Sequence, residues 1–281
     1  MVALEKAGLP TVSIVAHGFE SDFETSARIF GFPQLPYIVI PYTMTSRSRD
    51  EAAIDLDGAF DELAATMVSQ PPDPASTKKA QVVQASREQF EADDLLRGWE
   101  NFNEDFIERG LGDGFPLIAP TPELVDAFLK TVKRDPLEVL GYVAPGIGAA
   151  TVEKVAINAA MAGCKPEHLS VLIATVEAIT QTPQNIFPAR TIAMSTGPHA
   201  MMMLVNGPIV KELGINYGRC TMGPGKLGRV NTALGRALRL ILMNVGHCYP
   251  GSGDMDTIGS PLKYSMCVAE NEDQNPWGPY H

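Results

Sequence analysis

The residues best suited to chemistry include a cysteine and two acids near the C-terminus. Cys267 lies in a strand-like apolar run, and Glu270 and Glu272 follow that run. A thiolate can serve as a nucleophile or metal ligand, and a carboxylate can serve as a general base. Because residues that follow the strands of an α/β sheet commonly reach its ligand, we predict that all three are catalytic. The alternative is a buried core cysteine beside two solvated acids.

A glycine-rich loop precedes the longest amphipathic helical pattern and predicts an anion site. Gly223 and Gly225 let the backbone approach a ligand closely, and the start of the helix offers N–H groups and a partial positive charge. Lys226 and Arg229 add two full charges at the same end. The pattern therefore predicts binding of a carboxylate or a phosphate. A tight turn that enters a core helix is the alternative.

This loop also matches the G-x-G-x-x-G fingerprint of dinucleotide-binding proteins. That fingerprint requires a preceding strand and an acidic residue about 20 positions further on. Residues 216–222 do not form a strand pattern, and no Asp or Glu occurs between Lys226 and Asp254. We therefore reject a nucleotide site.

Two asparagines are predicted to bind substrate. Asn158 lies among small apolar residues of a helical pattern, so its amide is expected to be buried and to need partners. Asn206 precedes a Gly-Pro turn and either points its amide into a pocket or satisfies the turn. Glu153 and Lys154 form either an exposed pair or part of a pocket.

The histidines and cysteines leave metal binding open. His247 and Cys248 follow the long helix, and His199 precedes a methionine-rich strand pattern. Imidazole and thiolate groups bind zinc and other transition metals. However, the four cysteines contain no CxxC pair, which disfavours a zinc ribbon or a thioredoxin-type dithiol. We assign no metal ligands; the cofactor stays unknown, with zinc or another transition metal as the open alternative.

The composition excludes several classes of partner. The 281 residues carry a net charge of −11, which argues against nucleic acid or an anionic membrane as the main partner. No apolar run approaches the length of a membrane span, and no basic segment precedes an apolar one at the N-terminus. The sequence thus predicts a cytoplasmic protein whose anion site is a local basic cluster.

Residues 1–70 predict a partial Rossmann-like βαβα layer. Two short β-branched runs, at residues 10–16 and 36–41, predict buried parallel strands. Helical patterns cover residues 21–30 and 49–68, so strand and helix alternate. The apolar side of the second helix consists of Ala53, Leu56, Phe60, Leu63 and Met67.

The remainder predicts a linker and a larger α/β domain. Residues 71–100 begin with a proline-rich run and are predicted to be a linker containing an exposed helix. Residues 101–281 are predicted to form the larger domain, with the anion-binding loop. Its predicted helices are at 103–109, 121–132, 151–161, 165–180 and from 227 on, and its predicted strands at 115–120, 201–205 and 263–269.

Several motifs resemble the bacterial UGSC family of (seleno)proteins. Residues 4–12 (LEKAGLPTV) and 35–41 (LPYIVIP) resemble its small domain. Three further motifs resemble the larger domain that accompanies it: GDGFPLIAPT at 112–121, ATVEKVAINAAMAGC at 150–164 and CVAENE at 267–272. The motif that names the family, selenocysteine or cysteine followed by Gly-Ser-Cys, is expected just before residue 4 and is absent from this sequence. The resemblance therefore implies either lost thiol chemistry or a separate small subunit that carries a Cys-Gly-Ser-Cys-like motif.

Together these features predict the large subunit of a hetero-oligomeric, thiol-dependent enzyme. Its substrate is expected to be a small anionic metabolite, and its reaction redox or carbon–heteroatom bond chemistry. One alternative is a lyase or hydrolase that uses Cys267 and Glu270, with or without a metal; another is a non-catalytic ligand-binding or scaffold subunit. We also expect Cys267 to be reactive and Cys164 to be inert. The N-terminal layer is expected to leave a strand edge or face that a second chain covers.

Overall fold

A computed structural model describes most of the chain. The described residues are 4–5, 7–17, 19–20, 23–24, 27, 32, 34–41, 48–68, 87–181, 195–251 and 253–280. The chain divides into two compact units, Met1–Gln81 with Gly251–Met255, and Val82–Pro250 with Asp256–His281. The fold is mixed α/β, as predicted. The helix predicted at 21–30 lies mostly outside the described residues, as do residues 71–86 of the predicted linker.

The N-terminal unit has the predicted strands and second helix. β1 (Ser13–Ala16) and β2 (Tyr37–Ile40) pair in parallel. Helix α1 (Arg49–Val68) starts at a capping box, since the amide of Ser48 donates to Glu51 Oε2 at 2.9 Å and the amide of Glu51 donates to Ser48 Oγ at 3.4 Å. β2 contributes buried side chains to this unit, whereas no residue of α1 is buried.

The C-terminal unit contains six of the described α-helices and all but one of the remaining described strands. Its described helices are α2 (Leu95–Glu108), α3 (Pro122–Leu129), α4 (Val152–Met161), α5 (Leu169–Gln181), α6 (Ile209–Leu213) and α7 (Arg229–Asn244), with short 3₁₀ helices at Pro166–His168 and Pro261–Lys263. Strand β3 (Val139–Val143) pairs antiparallel with β4 (Gly148–Thr151), and β5 (Met203–Val205) pairs in parallel with β8 (Cys267–Ala269). β6 (Tyr249–Pro250) and β7 (Gly253–Asp254) are two-residue strands. Among the described helices, none has the length and apolar character needed to cross a membrane.

Helices α4 and α7 lie at the centre of this unit. Val155, Ala156 and Ala159 on α4 and Leu234 and Ile241 on α7 are completely buried. Small side chains on α4 let the two helices approach closely. Burial of each leucine-sized side chain contributes about 1.5–3 kcal/mol, so this contact fixes the position of α7. Helix α7 in turn places the glycine-rich loop.

The predicted strands at 201–205 and 263–269 are shortened to β5 and β8, and two further predicted elements differ from the structure. Helix α2 begins at Leu95, inside the predicted linker, and includes the segment predicted as a separate short helix. The predicted strand at 115–120 does not form. Side chains of α2 bind its backbone instead: the amide of Leu117 donates to Asn103 Oδ1 at 2.6 Å, and Trp99 Nε1 donates to the carbonyl of Leu117 at 3.1 Å. These bonds use the groups that a strand ladder would need.

Candidate active site

Two parallel strands end side by side and bring Asn206 and Glu270 together. Val205 lies opposite Ala269, so the residues that follow the two strands are neighbours. The amide of Glu270 donates to the carbonyl of Val205 at 3.1 Å. Asn206 Nδ2 donates to Glu270 Oε2, and Asn275 Nδ2 donates to Glu270 Oε1. Both oxygens of this carboxylate are therefore held in one orientation.

A second predicted acid lies at the same strand ends. Glu272 Oε1 accepts a hydrogen bond from the backbone amide of Gly207 at 2.9 Å. Gly207 has a positive φ of 88°, which turns the chain sharply after β5. The structure thus brings together three predicted site residues, Asn206, Glu270 and Glu272. Sequence reasoning missed Asn275, because an asparagine in a polar tail gives no distinguishing signal.

The segment after β8 is tied to the loop that follows α6. Asp273 Oδ1 accepts from Lys211 Nζ at 2.8 Å, and Asp273 Oδ2 accepts from the Tyr217 hydroxyl at 3.4 Å. The hydrogen bond from Lys211 lowers the pKa of Asp273. These contacts connect the carboxylate cluster to the segment that leads into the glycine-rich loop.

Asn231 connects the same loop to helix α7 and strand β8. Its Oδ1 accepts from the amide of Asn216 at 2.8 Å, and its Nδ2 donates to the carbonyls of Asn216 at 2.9 Å and Cys267 at 3.2 Å. Asn231 is buried although its side chain is polar. The Asn231 side chain therefore serves as the hydrogen-bond partner of backbone groups of Asn216 and Cys267.

The first half of α7 packs against the residues that enter β8. A Cβ added to Gly235 would lie 2.6 Å from the backbone nitrogen of Met266, and Ser265 Oγ donates to the carbonyl of Thr232 at 3.0 Å. Asn231 bonds to the carbonyl of Cys267. The first turns of α7 therefore lie beside the 265–267 segment.

The glycine-rich loop has the geometry expected of a tight turn with exposed charges. A Cβ at Gly228 would lie 1.9 Å from the carbonyl oxygen of Gly223, so only glycine fits there, and Gly225 has a positive φ of 91°. Lys226 and Arg229 are exposed, and neither forms an ion pair with any described residue. No side chain within the described part of the chain caps the start of α7. The predicted anion-binding groups are thus present together.

A second basic residue of α7, Arg236, is used structurally. Its Nε and Nη2 lie 2.7 and 2.8 Å from the two oxygens of Asp113. Nη2 also donates to the carbonyls of Phe115 and Pro116, each at 3.1 Å. Arg236 therefore anchors the 113–116 segment to α7 and does not contribute its charge to the glycine-rich loop.

Asn158 lies at the opposite end of α7. Its Nδ2 donates to the carbonyl of Lys154 at 2.9 Å, and its Oδ1 accepts from Asn244 Nδ2 at 2.7 Å. Thirteen residues separate Asn244 from Asn231, which is about 20 Å along a helix. The structure therefore places Asn158 apart from Asn231, and its amide joins α4 to the end of α7.

Burial also argues against an ionised thiol at Cys267. The residue is only 2% exposed, and burial raises the pKa of its thiol to about 12. A thiolate nucleophile at this position is disfavoured because the charge would be desolvated. Cys220, by contrast, is exposed in the turn before the glycine-rich loop and has a φ of 57°. The sequence offered only its place in a glycine-rich turn as a signal.

We expect native alkylation to modify Cys220 first, because thiol reactivity requires access and a thiolate. Cys164, Cys248 and Cys267 are buried and should react slowly. Iodoacetamide labelling followed by mass mapping measures the rates. Labelling in concentrated urea, where all four should react, is the control. Labelling of Cys267 as fast as that of Cys220 would show that the native thiol is accessible.

The described residues contain no cluster of three or more His, Cys, Asp or Glu side chains arranged to hold a metal ion. Burial, and secondarily the charge of Lys154, lower the pKa of His247, and the neighbouring Cys248 is buried. Neutral imidazole is the metal-binding form, but His247 has no second and third ligand among these residues.

Comparison with known protein families matches residues 1–69 to the UGSC family. This N-terminal part of the chain is therefore similar to that family. No curated protein and no solved structure matches the chain.

Proposed function

We propose that this chain, which matches the UGSC family over residues 1–69, is an enzyme that removes a proton from a small anionic metabolite. One observation carries the proposal: at the carboxyl ends of β5 and β8, both oxygens of Glu270 are held by the amides of Asn206 and Asn275. Ligands of α/β proteins commonly bind at the carboxyl ends of parallel strands. A carboxylate fixed there is suited to act as a general base.

Each residue of the cluster has a defined part in this proposal. Glu270 accepts the substrate proton, since a carboxylate oxygen that accepts one hydrogen bond retains further lone-pair capacity. Asn206 and Asn275 are positioning residues. Glu272 holds the turn after β5 through the amide of Gly207. Proton removal next to a carboxylate is a step of many lyase reactions, which favours the lyase alternative over hydrolysis.

The anionic part of the substrate is proposed to bind at the glycine-rich loop. Lys226 and Arg229 are exposed at the start of α7, and Asn231 in the first turn of this helix bonds to the carbonyl of Cys267, three residues before Glu270. Backbone N–H groups at a helix start and two cations attract a carboxylate or phosphate. In a protein with a net charge of −11, such a local cluster also selects where an anion binds.

A second candidate is the hetero-oligomeric, thiol-dependent enzyme. Burial of Cys267 favours a thiol or selenol that comes from a partner subunit. We also propose that the N-terminal unit is a partial Rossmann-like layer, which the parallel pairing of β1 and β2 supports. Four unpaired cysteines support a cytoplasmic location. Turnover by the purified chain alone favours proton transfer, whereas turnover only with a thiol-bearing partner favours the second candidate; ligand binding without any turnover favours a non-catalytic subunit.

The double variant Lys226→Ala/Arg229→Ala tests the anion site. We expect affinity for malonate, citrate or inorganic phosphate to fall roughly tenfold or more, because two cations at the binding end are lost. Isothermal titration calorimetry at low salt measures the change. Lys130→Ala/Lys133→Ala is the matched control, since it removes two exposed cations elsewhere. Equal affinities of the wild type and the loop variant would reject the loop as the anion site.

A further inference from the structure

Helix α1 carries an apolar seam with the spacing of a coiled coil. Ala53, Leu56, Phe60, Leu63 and Met67 follow one another at intervals of three, four, three and four residues. This alternation keeps apolar side chains on one line along a helix that packs against another helix. The seam covers two heptads, or about 21 Å.

The seam is open to solvent at Ala53, Phe60 and Met67, and α1 also contacts β2 of the same unit. Phe60 is 62% exposed and Met67 is 46% exposed, while Leu56 and Leu63 are half-buried. Exposed apolar side chains that occur singly are ordinary, but a continuous seam of this kind marks a binding surface. The five seam residues therefore have the composition of an interface.

The charges of α1 indicate the chemistry of the occupant. The helix contains six acidic residues and one basic residue: Asp50, Glu51, Asp55, Asp57, Asp61 and Glu62 against Arg49. Asp50 and Asp57 are seven residues apart and border the seam at the positions that select partners in coiled coils. A second copy of α1 would place two acidic helices together, which is unfavourable. A basic partner is favoured instead.

We propose that α1 is the docking helix for an amphipathic helix of a partner chain, with apolar residues at the same three–four spacing and Lys or Arg beside them. The apolar side chains pack against the seam, and the cations pair with Asp50 and Asp57. This proposal goes beyond the enzymatic one and does not depend on it, because it uses no residue of the strand-end site.

The test uses the full chain and two designed peptides of about 20 residues. One peptide is an amphipathic helix with leucines at three–four spacing and flanking lysines; the other has the same composition in scrambled order. We expect the wild type to bind the first peptide at least tenfold more tightly than the second, measured by fluorescence anisotropy. Affinity should fall as the ionic strength rises from about 50 to 500 mM, because ion pairs contribute.

Variants of exposed residues assign the binding to the seam. Phe60→Ser/Met67→Ser and Asp50→Lys/Asp57→Lys should each reduce peptide affinity about tenfold or more. Ile54→Ser, which replaces an exposed apolar residue of α1 outside the seam, should leave it unchanged. Equal binding of both peptides, or no loss in the seam variants, would overturn the proposal. So would a homodimer in light scattering that Phe60→Ser/Met67→Ser dissociates, since the occupant would then be a second copy.

Discussion

Replacement of Glu270 by glutamine is expected to slow proton removal from the substrate by about 10²–10⁴-fold, the usual contribution of a general base. Glutamine keeps the size of the side chain but cannot accept the proton. Anion affinity should change by less than about threefold, because Lys226 and Arg229 are untouched. The variant therefore separates catalysis from binding.

Hydrogen–deuterium exchange gives a readout that does not require the natural substrate. Small carboxylic acids with an acidic α-hydrogen are incubated with the enzyme in D₂O, and loss of the α-proton signal is followed by NMR. Asn275→Ala should show an intermediate loss of about tenfold, since it frees one oxygen of Glu270 without removing it. Glu212→Gln, an exposed acid, is the control. Exchange by Glu270→Gln at the wild-type rate would remove Glu270 as the base.

The sequence predicted that Asn206, Glu270 and Glu272 follow strands, because position along a strand is a local property. Asn206 and Glu270 each follow an apolar run, and the carboxyl ends of paired parallel strands lie together. The pairing of β5 with β8 is not local: it joins segments about 60 residues apart, and only the fold shows that Asn206 meets Glu270. Asn275 could not be identified for the same reason.

Residue type alone does not determine which elements a side chain contacts or how exposed it is. Asn158 lies on α4 and Asn231 on α7, and both amides have internal partners. Asn231 is at the start of α7, whereas Asn158 contacts Asn244 at its end. Cys267 has a type suited to catalysis, but its reactivity depends on exposure, which its strand position cannot fix. The apolar spacing predicted helix α1 correctly. It does not identify what covers Phe60 and Met67, because that depends on the sequence of the partner surface.

Arg236→Met is expected to destabilise the C-terminal unit by about 3 kcal/mol. Methionine has an apolar side chain of similar length but no charge. The variant therefore leaves Asp113, whose side chain is 2% exposed, without its cation. Removal of one partner of a buried ion pair usually costs about 3–5 kcal/mol. We expect the lower end of that range, because Arg236 is 16% exposed and the amide of Phe115 still donates to Asp113.

Urea unfolding measures this loss in the C-terminal unit alone. The chain has two tryptophans, Trp99 and Trp277, and both belong to that unit, so their fluorescence reports its unfolding. Arg97→Met is the matched control, since Arg97 pairs with Glu100 on the surface and should contribute less than about 1 kcal/mol. Adding Asp113→Leu to Arg236→Met should restore stability to within about 1 kcal/mol of the wild type, because the unpaired buried charge is then gone. If the double variant were no more stable than Arg236→Met alone, the lost carbonyl contacts of Arg236 rather than the uncompensated charge of Asp113 would explain the destabilisation.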